Sequence, residues 1–276
     1  METSTFVKQL SSNSRVVREK ALETLETFLQ SQEFKKAKQS RHDKLWKGLY
    51  YSMWFSDRPR PQQRLANRLG ALFMLFFDPE EAETKEFTKN DKVFIKFCRA
   101  YWKILCLEWF HIDSHRLDKF LLLIRRVLFN QLKYLQSRNW CDELVRTYIE
   151  KVLQKSPLSG SGKVYNGIPL HIIDIFLDEW KRLLTGKNDE LEEEGEEKTA
   201  EEVTELVKKT PLQSFIDVFI QLSEGDGVSK VLKAKIRDEL LLDERLITWD
   251  IVKSDNSKSG EGEDEDQNEN EWKGFD

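Results

Sequence analysis

Apolar residues in this chain return every three or four positions, segment after segment, and no run shows the one-in-two alternation of a half-buried strand. Ser14 or Asn13 caps a stripe of Val17, Ala21, Leu25 and Phe28 that predicts a helix to about residue 30. A second helix is predicted over 43–55. Pro61 suits the first turn of a third, with Leu65, Leu69, Leu72, Phe73 and Phe76 inward and Asp78-Pro79 as its stop. Asn90 or Asp91 starts a long helix carrying Phe94, Phe97, Tyr101, Trp102, Leu105 and Trp109. Asp113 is the expected N-cap of the next, whose apolar residues (Leu117, Phe120, Leu122, Leu123, Ile124, Val127, Leu128) cover most of its circumference. A helix of that kind is covered on two or more faces and belongs at the centre of the fold. Further helices are expected from Asn139, from Pro169 after a Gly/Ser/Pro loop at 156–167, and near 201–209, 211–222 and 229–242.

Helix after helix with short turns predicts an all-α protein, its antiparallel hairpins stacked into a HEAT/armadillo-like superhelical solenoid. Only 12 Gly and 6 Pro argue against a many-turned β architecture. Trp102, Trp140 and Trp180 recur at spacings of 38 and 40, near the period of such repeats. The expected organisation is one helical domain over 1–253, a flexible acidic insertion at about 187–199, and a disordered acidic tail over 254–276.

Charge divides the chain. Residues 1–185 hold 32 Lys/Arg against 22 Asp/Glu, whereas residues 186–276 hold 12 against 27. A cationic folded body with an acidic tail suits a polyanion-associated protein whose tail limits promiscuous binding, or merely solubilises it. Two basic clusters stand out: Lys35, Lys36, Lys38, Arg41, Lys44 and Lys47, then Arg58, Arg60, Arg64 and Arg68. Such stripes give salt-sensitive phosphate contacts without sequence readout, or meet an acidic protein.

Other chemistry is poorly supplied. Cys98, Cys106 and Cys141 are an odd set within apolar helical segments, which fits a reducing compartment. The N-terminus does not read as a signal peptide, and the longest apolar run, around 72–77, is far short of the ~20 residues that span a bilayer. Gly160-Ser161-Gly162-Lys163 lacks the other elements of a phosphate loop, with Pro157 and Val164 where Gly and Ser/Thr are needed. His111 and His115 would be separated by a capping Asp113, with no third metal ligand nearby. The expectation is a soluble intracellular binding protein with no catalysis, cofactor, metal, membrane or small-molecule substrate.

Two passages carry a family likeness. One is Trp46-Lys47-Gly48-Leu49-Tyr50-Tyr51-Ser52-Met53-Trp54-Phe55-Ser56-Asp57-Arg58-Pro59, followed by Gln62-Gln63. The other is Glu108-Trp109 to Ile112-Asp113, Arg116-Leu117-Asp118-Lys119-Phe120, then Leu123-Ile124-Arg125-Arg126-Val127-Leu128. Together they resemble the signature of the ribosomal RNA-processing protein 1 family of nucleolar factors, over roughly residues 5–250, and the length suits its short fungal-type members. The resemblance implies a factor of the nucleus and nucleolus without catalytic activity. It would act in early large-subunit pre-ribosomal particles, beside other assembly factors and the pre-rRNA backbone, in processing of the large-subunit rRNA precursor. An adaptor that binds protein and never touches RNA is the alternative.

The motif residues Trp54, Asp57, Pro59, Gln63, Arg116, Asp118, Lys119, Phe120, Arg125 and Arg126 are expected either to build the fold or to form a partner surface. Asp57 is expected to accept bonds from free N–H groups ahead of the helix that Pro61 opens, with Trp54 anchoring that corner. Leu117 and Phe120 should face the core and the charged residues between them another face, with Arg116 paired to Asp57 or Asp118 fixing the hairpin.

Overall fold

The computed structural model describes residues 3–10, 12–186 and 198–252. The expectations for the tail at 254–276, and for the insertion apart from Lys198 and Thr199, therefore lie outside the described residues. Among the described residues every regular element is helical. The α-helices are α1 (Thr3–Leu10), α2 (Arg15–Gln30), the single turn α3 (Gln32–Lys35), α4 (Gln39–Trp54), α5 (Pro59–Ala71), α6 (Lys89–Glu108) and α7 (Ser114–Ser137). Then follow α8 (Asp142–Tyr148), α9 (Gly167–Thr185), α10 (Ala200–Val207), α11 (Leu212–Glu224), α12 (Lys230–Lys235) and α13 (Glu244–Thr248).

Local chemistry sets several boundaries. Asp113 accepts a hydrogen bond from the Arg116 amide at 3.1 Å and starts α7 as expected. Thr88, not Asn90 or Asp91, caps α6; it accepts from the Asp91 amide at 3.1 Å while Asp91 accepts from the Thr88 amide at 2.9 Å, a reciprocal capping box. Helix α4 begins four residues before the expected start because its buried stripe opens with His42, which does not register as apolar. The helix expected from Asn139 begins only at Asp142. Asn139 and Trp140 take φ of 47° and 53°, and the Trp140 amide donates back to the Leu135 carbonyl at 2.9 Å, closing the end of α7.

Side-chain pairs fix how the helices stack. Lys35 meets Asn90, Gln39 meets the Lys96 carbonyl, Lys103 meets Asp43, and Tyr51 meets Glu108. Residue numbers rise together, so α4 and α6 run parallel. Gly70 against Arg126, and beyond the end of α5 Phe76 with Tyr134, show that α5 and α7 run parallel too, as His171 with Leu121 and Glu179 with Arg125 do for α7 and α9. Helices of alternate position thus form two stacked layers, the pattern of a solenoid of helical pairs. The pairs α4–α5, α6–α7 and α8–α9 start 50 and 53 residues apart, longer than the tryptophan spacing suggested. Trp102 and Trp180 sit in helices, but Trp140 lies in the turn after α7 and stacks on Trp180 at 5.1 Å, so the three are not equivalent positions.

Helix α7 is the central element, packed on α5 at one side and α9 at the other. Gly70 of α5 makes that approach possible: a Cβ there would lie 2.8 Å from the Arg126 carbonyl oxygen. One continuous apolar cluster runs from Phe6 to Trp249. Its largest polar inclusion is Arg138, fully buried, which donates to Asp91 at 3.1 Å and to the Thr84 and Glu86 carbonyls at 3.0 Å each. This guanidinium ties the 79–87 connection to the end of α7, and Tyr134 adds a 3.0 Å bond to the same carboxylate.

Candidate functional site

Because α4 and α6 run parallel, two basic rows come to lie side by side. The first is the predicted cluster. The second is Lys89, Lys92, Lys96, Arg99 and Lys103 on α6, spaced three, four, three and four residues apart and therefore on one helical face. That spacing was present in the sequence but is spread over fifteen residues, so it never reads as a cluster. Lys35 and Lys36 join Lys89, Lys92 and Lys96 around a cleft of ≈ 520 Å³ whose acidic lining is Asp78 and Glu81.

The rows divide into tethered and free cations. Lys35 donates to Asn90 at 3.0 Å and Lys96 to the Ala37 carbonyl at 3.0 Å, which fixes the cleft. Arg41 pairs with Glu33 at 2.8 Å, Lys47 with Glu108 at 3.3 Å and Lys103 with Asp43 at 2.7 Å, all on exposed cationic side chains. The Arg41–Glu33 pair is exposed on both sides and contributes ~0–1 kcal/mol, whereas Glu108 and Asp43 are themselves largely buried beneath their lysines. Lys36, Lys38 and Lys44 are exposed and form no ion pair among the described residues. The face therefore offers an excess of positive charge on rigid helices.

The arginines of the second predicted cluster are placed elsewhere. Arg58, Arg60 and Arg64 are exposed, while Arg68 is bonded to Glu26 of α2 at 2.5 Å. Arg64 and Arg68 border a different hollow, against Arg15 and Arg18 of α2. The hollow bordered by Arg64 and Arg68 and the lysine cleft have no lining residue in common.

The two motif passages meet at one corner. Lys119 is buried, and its ammonium donates to the Trp54 and Ser56 carbonyls at 2.7 and 2.8 Å. It closes the C-terminal end of α4, where free carbonyls and the helix dipole both favour a cation. Burial lowers its pKa. Phe120 stacks on Tyr50 at 4.6 Å, and Arg116 lies over the Trp54 ring at 4.6 Å while pairing with Asp113. Arg125 bonds the fully buried Glu179 of α9 at 2.5 Å, and Arg126 lies half-buried where α7 crosses Gly70.

Four expectations for this corner are corrected. Lys119 points inward, because the end of α4 supplies the acceptors that let an ammonium be buried. Leu117 is 36% exposed and stands outside the apolar cluster. Arg116 takes Asp113, three residues before it, in preference to Asp57. Asp57 caps nothing: Arg58 holds the N-cap position without a side-chain bond, Pro59 opens α5, and Gln62 closes the turn by donating to the Ser56 carbonyl at 2.8 Å. Asp57, Gln63 and Asp118 are exposed and remain available to a partner.

The remaining sequence features have plain locations. Gly160 to Lys163 forms turns before α9, with no strand leading into them. His111 ends a short 3-10 turn and His115 lies beyond the Asp113 cap, on separate elements. The three cysteines are buried and free. No helix among the described residues is long and apolar enough to cross a membrane.

Comparison with known proteins follows the motifs. The family described as nucleolar protein, Nop52 matches residues 1–274. Ribosomal RNA processing protein 1 homolog A of Mus musculus is 28% identical over 262 residues, which cover 93% of this chain and 47% of that protein. The human homolog A is 32% identical over 177 residues, covering 63% and 36%. A Drosophila melanogaster ribosomal RNA processing protein 1 homolog is 32% identical over 144 residues, covering 52% and 19%. The chain spans about half, or less, of the length of these relatives.

Proposed function

The chain belongs to the Nop52 family of nucleolar proteins, and from that premise we propose that it is a non-enzymatic ribosome biogenesis factor. It acts in the nucleolus, in early large-subunit pre-ribosomal particles, as a scaffold required for processing of the large-subunit rRNA precursor. Pre-rRNA backbone and neighbouring assembly factors are its partners. The relatives' names supply the rRNA-processing part of this reading. The observation that carries the contact with RNA is the paired cationic face of α4 and α6, where eleven lysines and arginines lie on two parallel helices and their approach. Phosphate contacts of this kind position a particle without reading its sequence.

A second reading, a protein-binding adaptor without RNA contact, is favoured by a different observation. Phe55, Leu107 and Phe110, near the C-terminal ends of α4 and α6, are 54%, 58% and 60% exposed. Large apolar side chains left uncovered at that end suit a protein partner. RNA binding measured between 50 and 200 mM salt separates the two. A protein making 6–10 phosphate contacts loses ~10³–10⁵ in affinity over that range. Reversing Lys36, Lys92 and Arg99 to Glu should flatten the salt dependence, and the same variant should fail to restore large-subunit rRNA processing in depleted cells. Absence of binding at 50 mM salt would leave the adaptor reading in its place.

A further inference from the structure

The hollow between α2 and α5 differs in kind from the lysine cleft. It is lined by Arg15, Arg18, Arg64 and Arg68 around an apolar floor of Leu22, Leu65 and Pro61, in ≈ 270 Å³. That is just below the ~300–1,000 Å³ of small-molecule pockets, and suits an anchoring side chain rather than a whole ligand. The lysine cleft, by contrast, has Val93 as its one fully apolar lining side chain among the described residues. Guanidiniums pair with carboxylate and phosphate alike and also stack on aromatic rings, so the feature that separates this hollow from the lysine cleft is its aliphatic floor, which gives an aromatic side chain a seat beside the charges.

The internal pairs of the hollow are exchangeable. Arg15 bonds Glu19 at 2.6 Å and Arg68 bonds Glu26 at 2.5 Å, both with exposed guanidiniums, and Arg64 forms no ion pair among the described residues. The Arg15 hydrogen bond, with the Arg64 and Arg68 charges beyond it, holds the Glu19 carboxyl below its usual range. Positive potential therefore exceeds what the two glutamates balance.

We propose that this hollow binds an acidic peptide with aromatic anchors, and that its occupant is the chain's own segment 261–276. That segment lies outside the described residues, and its sequence is an acidic run, Glu261, Glu263, Asp264, Glu265 and Asp266, then Glu269 and Glu271, followed by Trp272, Lys273, Gly274, Phe275 and Asp276. It is the chain's most acidic stretch that also carries large aromatics, Trp272 and Phe275. Trp272 or Phe275 covers Leu22 and Leu65 while the carboxylates replace Glu19 and Glu26 on the arginines. The twenty residues from Val252 to Trp272 extend to ~70 Å.

The test uses the full chain with Phe275→p-benzoylphenylalanine, irradiated at low concentration as a mixture of isotopically heavy and light protein. Adducts are expected within residues 15–22 and 61–68 and within single chains. In an Arg15→Glu/Arg64→Glu background the adduct yield should fall about tenfold, the effect of losing two charge-assisted contacts. Lys89→Glu/Lys92→Glu should leave the yield unchanged. An excess of synthetic peptide 259–276 should suppress the adduct, and the same peptide with Trp272→Ser and Phe275→Ser should not, a measurement that needs no variant of the body. Adducts on the lysine face, adducts between heavy and light chains, a yield indifferent to arginine reversal, or no adduct at all would each overturn the assignment.

Discussion

His42 is buried completely between Phe34, 4.4 Å from its ring centre, and Phe97 at 6.3 Å, and neither ring nitrogen has a hydrogen-bond partner among the described residues. Burial, reinforced by the nearby Lys96 charge, pushes its pKa down from 6.5 to about 4. Above pH 6.5 the imidazole is neutral in folded and unfolded chains alike and adds no pH dependence. Between 6.5 and 4 the unfolded chain takes up a proton that the folded chain refuses, so stability falls with pH by ~3 kcal/mol. His42→Leu should remove that part of the acid sensitivity while the carboxylates keep theirs. Urea unfolding at pH 7 and pH 4 for both proteins measures it. Curves that fall in parallel would mean the ring is protonated inside the fold. The same side chain explains the late expected start of α4, because a histidine that behaves as a core residue carries no apolar mark in the sequence.

At the scale of the element, helix approach is set by what a residue lacks. Gly70 faces the Arg126 carbonyl of α7, and a Cβ would lie 2.8 Å from its oxygen and 3.0 Å from its carbon. Both atoms are backbone, so the helices themselves would have to part. Alanine gains ~1 kcal/mol in intrinsic helix propensity over glycine, whereas overpacking of this kind costs ~1–3 kcal/mol. Gly70→Ala should therefore be destabilising by up to ~2 kcal/mol by chemical denaturation, and a more stable variant would show that the layers can slide apart cheaply. Helix existence was legible in the sequence because Leu65, Leu69 and their counterparts carry the 3.6-residue period. The partner of each helix was not, since stacking at offsets of 50 to 65 residues depends on contacts such as Lys119 with Trp54 and His171 with Leu121. For the same reason half of the cationic face was visible as the Lys35–Lys47 cluster. The α6 row became part of it only when the parallel register was known. The buried Lys119 was unreadable, because its acceptors are backbone carbonyls that no side-chain pattern announces.

A stack of helical pairs raises the question of whether the molecule unfolds piece by piece. In repeat arrays each unit contacts only its neighbours, and cooperativity depends on the strength of those interfaces. Here the second half of the chain is joined to the first through aromatics. Phe215 of α11, 1% exposed, lies 6.2 Å from Tyr148, 6.0 Å from Phe176 and 5.2 Å from Trp180, measured between ring centres. Tyr148 in turn donates to Gln131 of α7 at 2.6 Å, and Gln131 accepts from Trp102 of α6 at 3.0 Å. With α6, α7, α8, α9 and α11 joined in this way, thermal unfolding should be a single transition. Phe215→Ala should lower the stability of that one transition by ~3–5 kcal/mol, the usual loss for a fully buried phenylalanine. Calorimetry read beside the near-ultraviolet signal of the tryptophans decides between the alternatives. Were the variant to split the transition, with α10 to α13 melting first and the Trp46 and Trp102 environments intact, α11 would be a docked cap and not a member of the core. Were it to remain single, the cationic face near one end of the stack and the α9–α11 interface would share one folding equilibrium, so that damage at either would be felt at both.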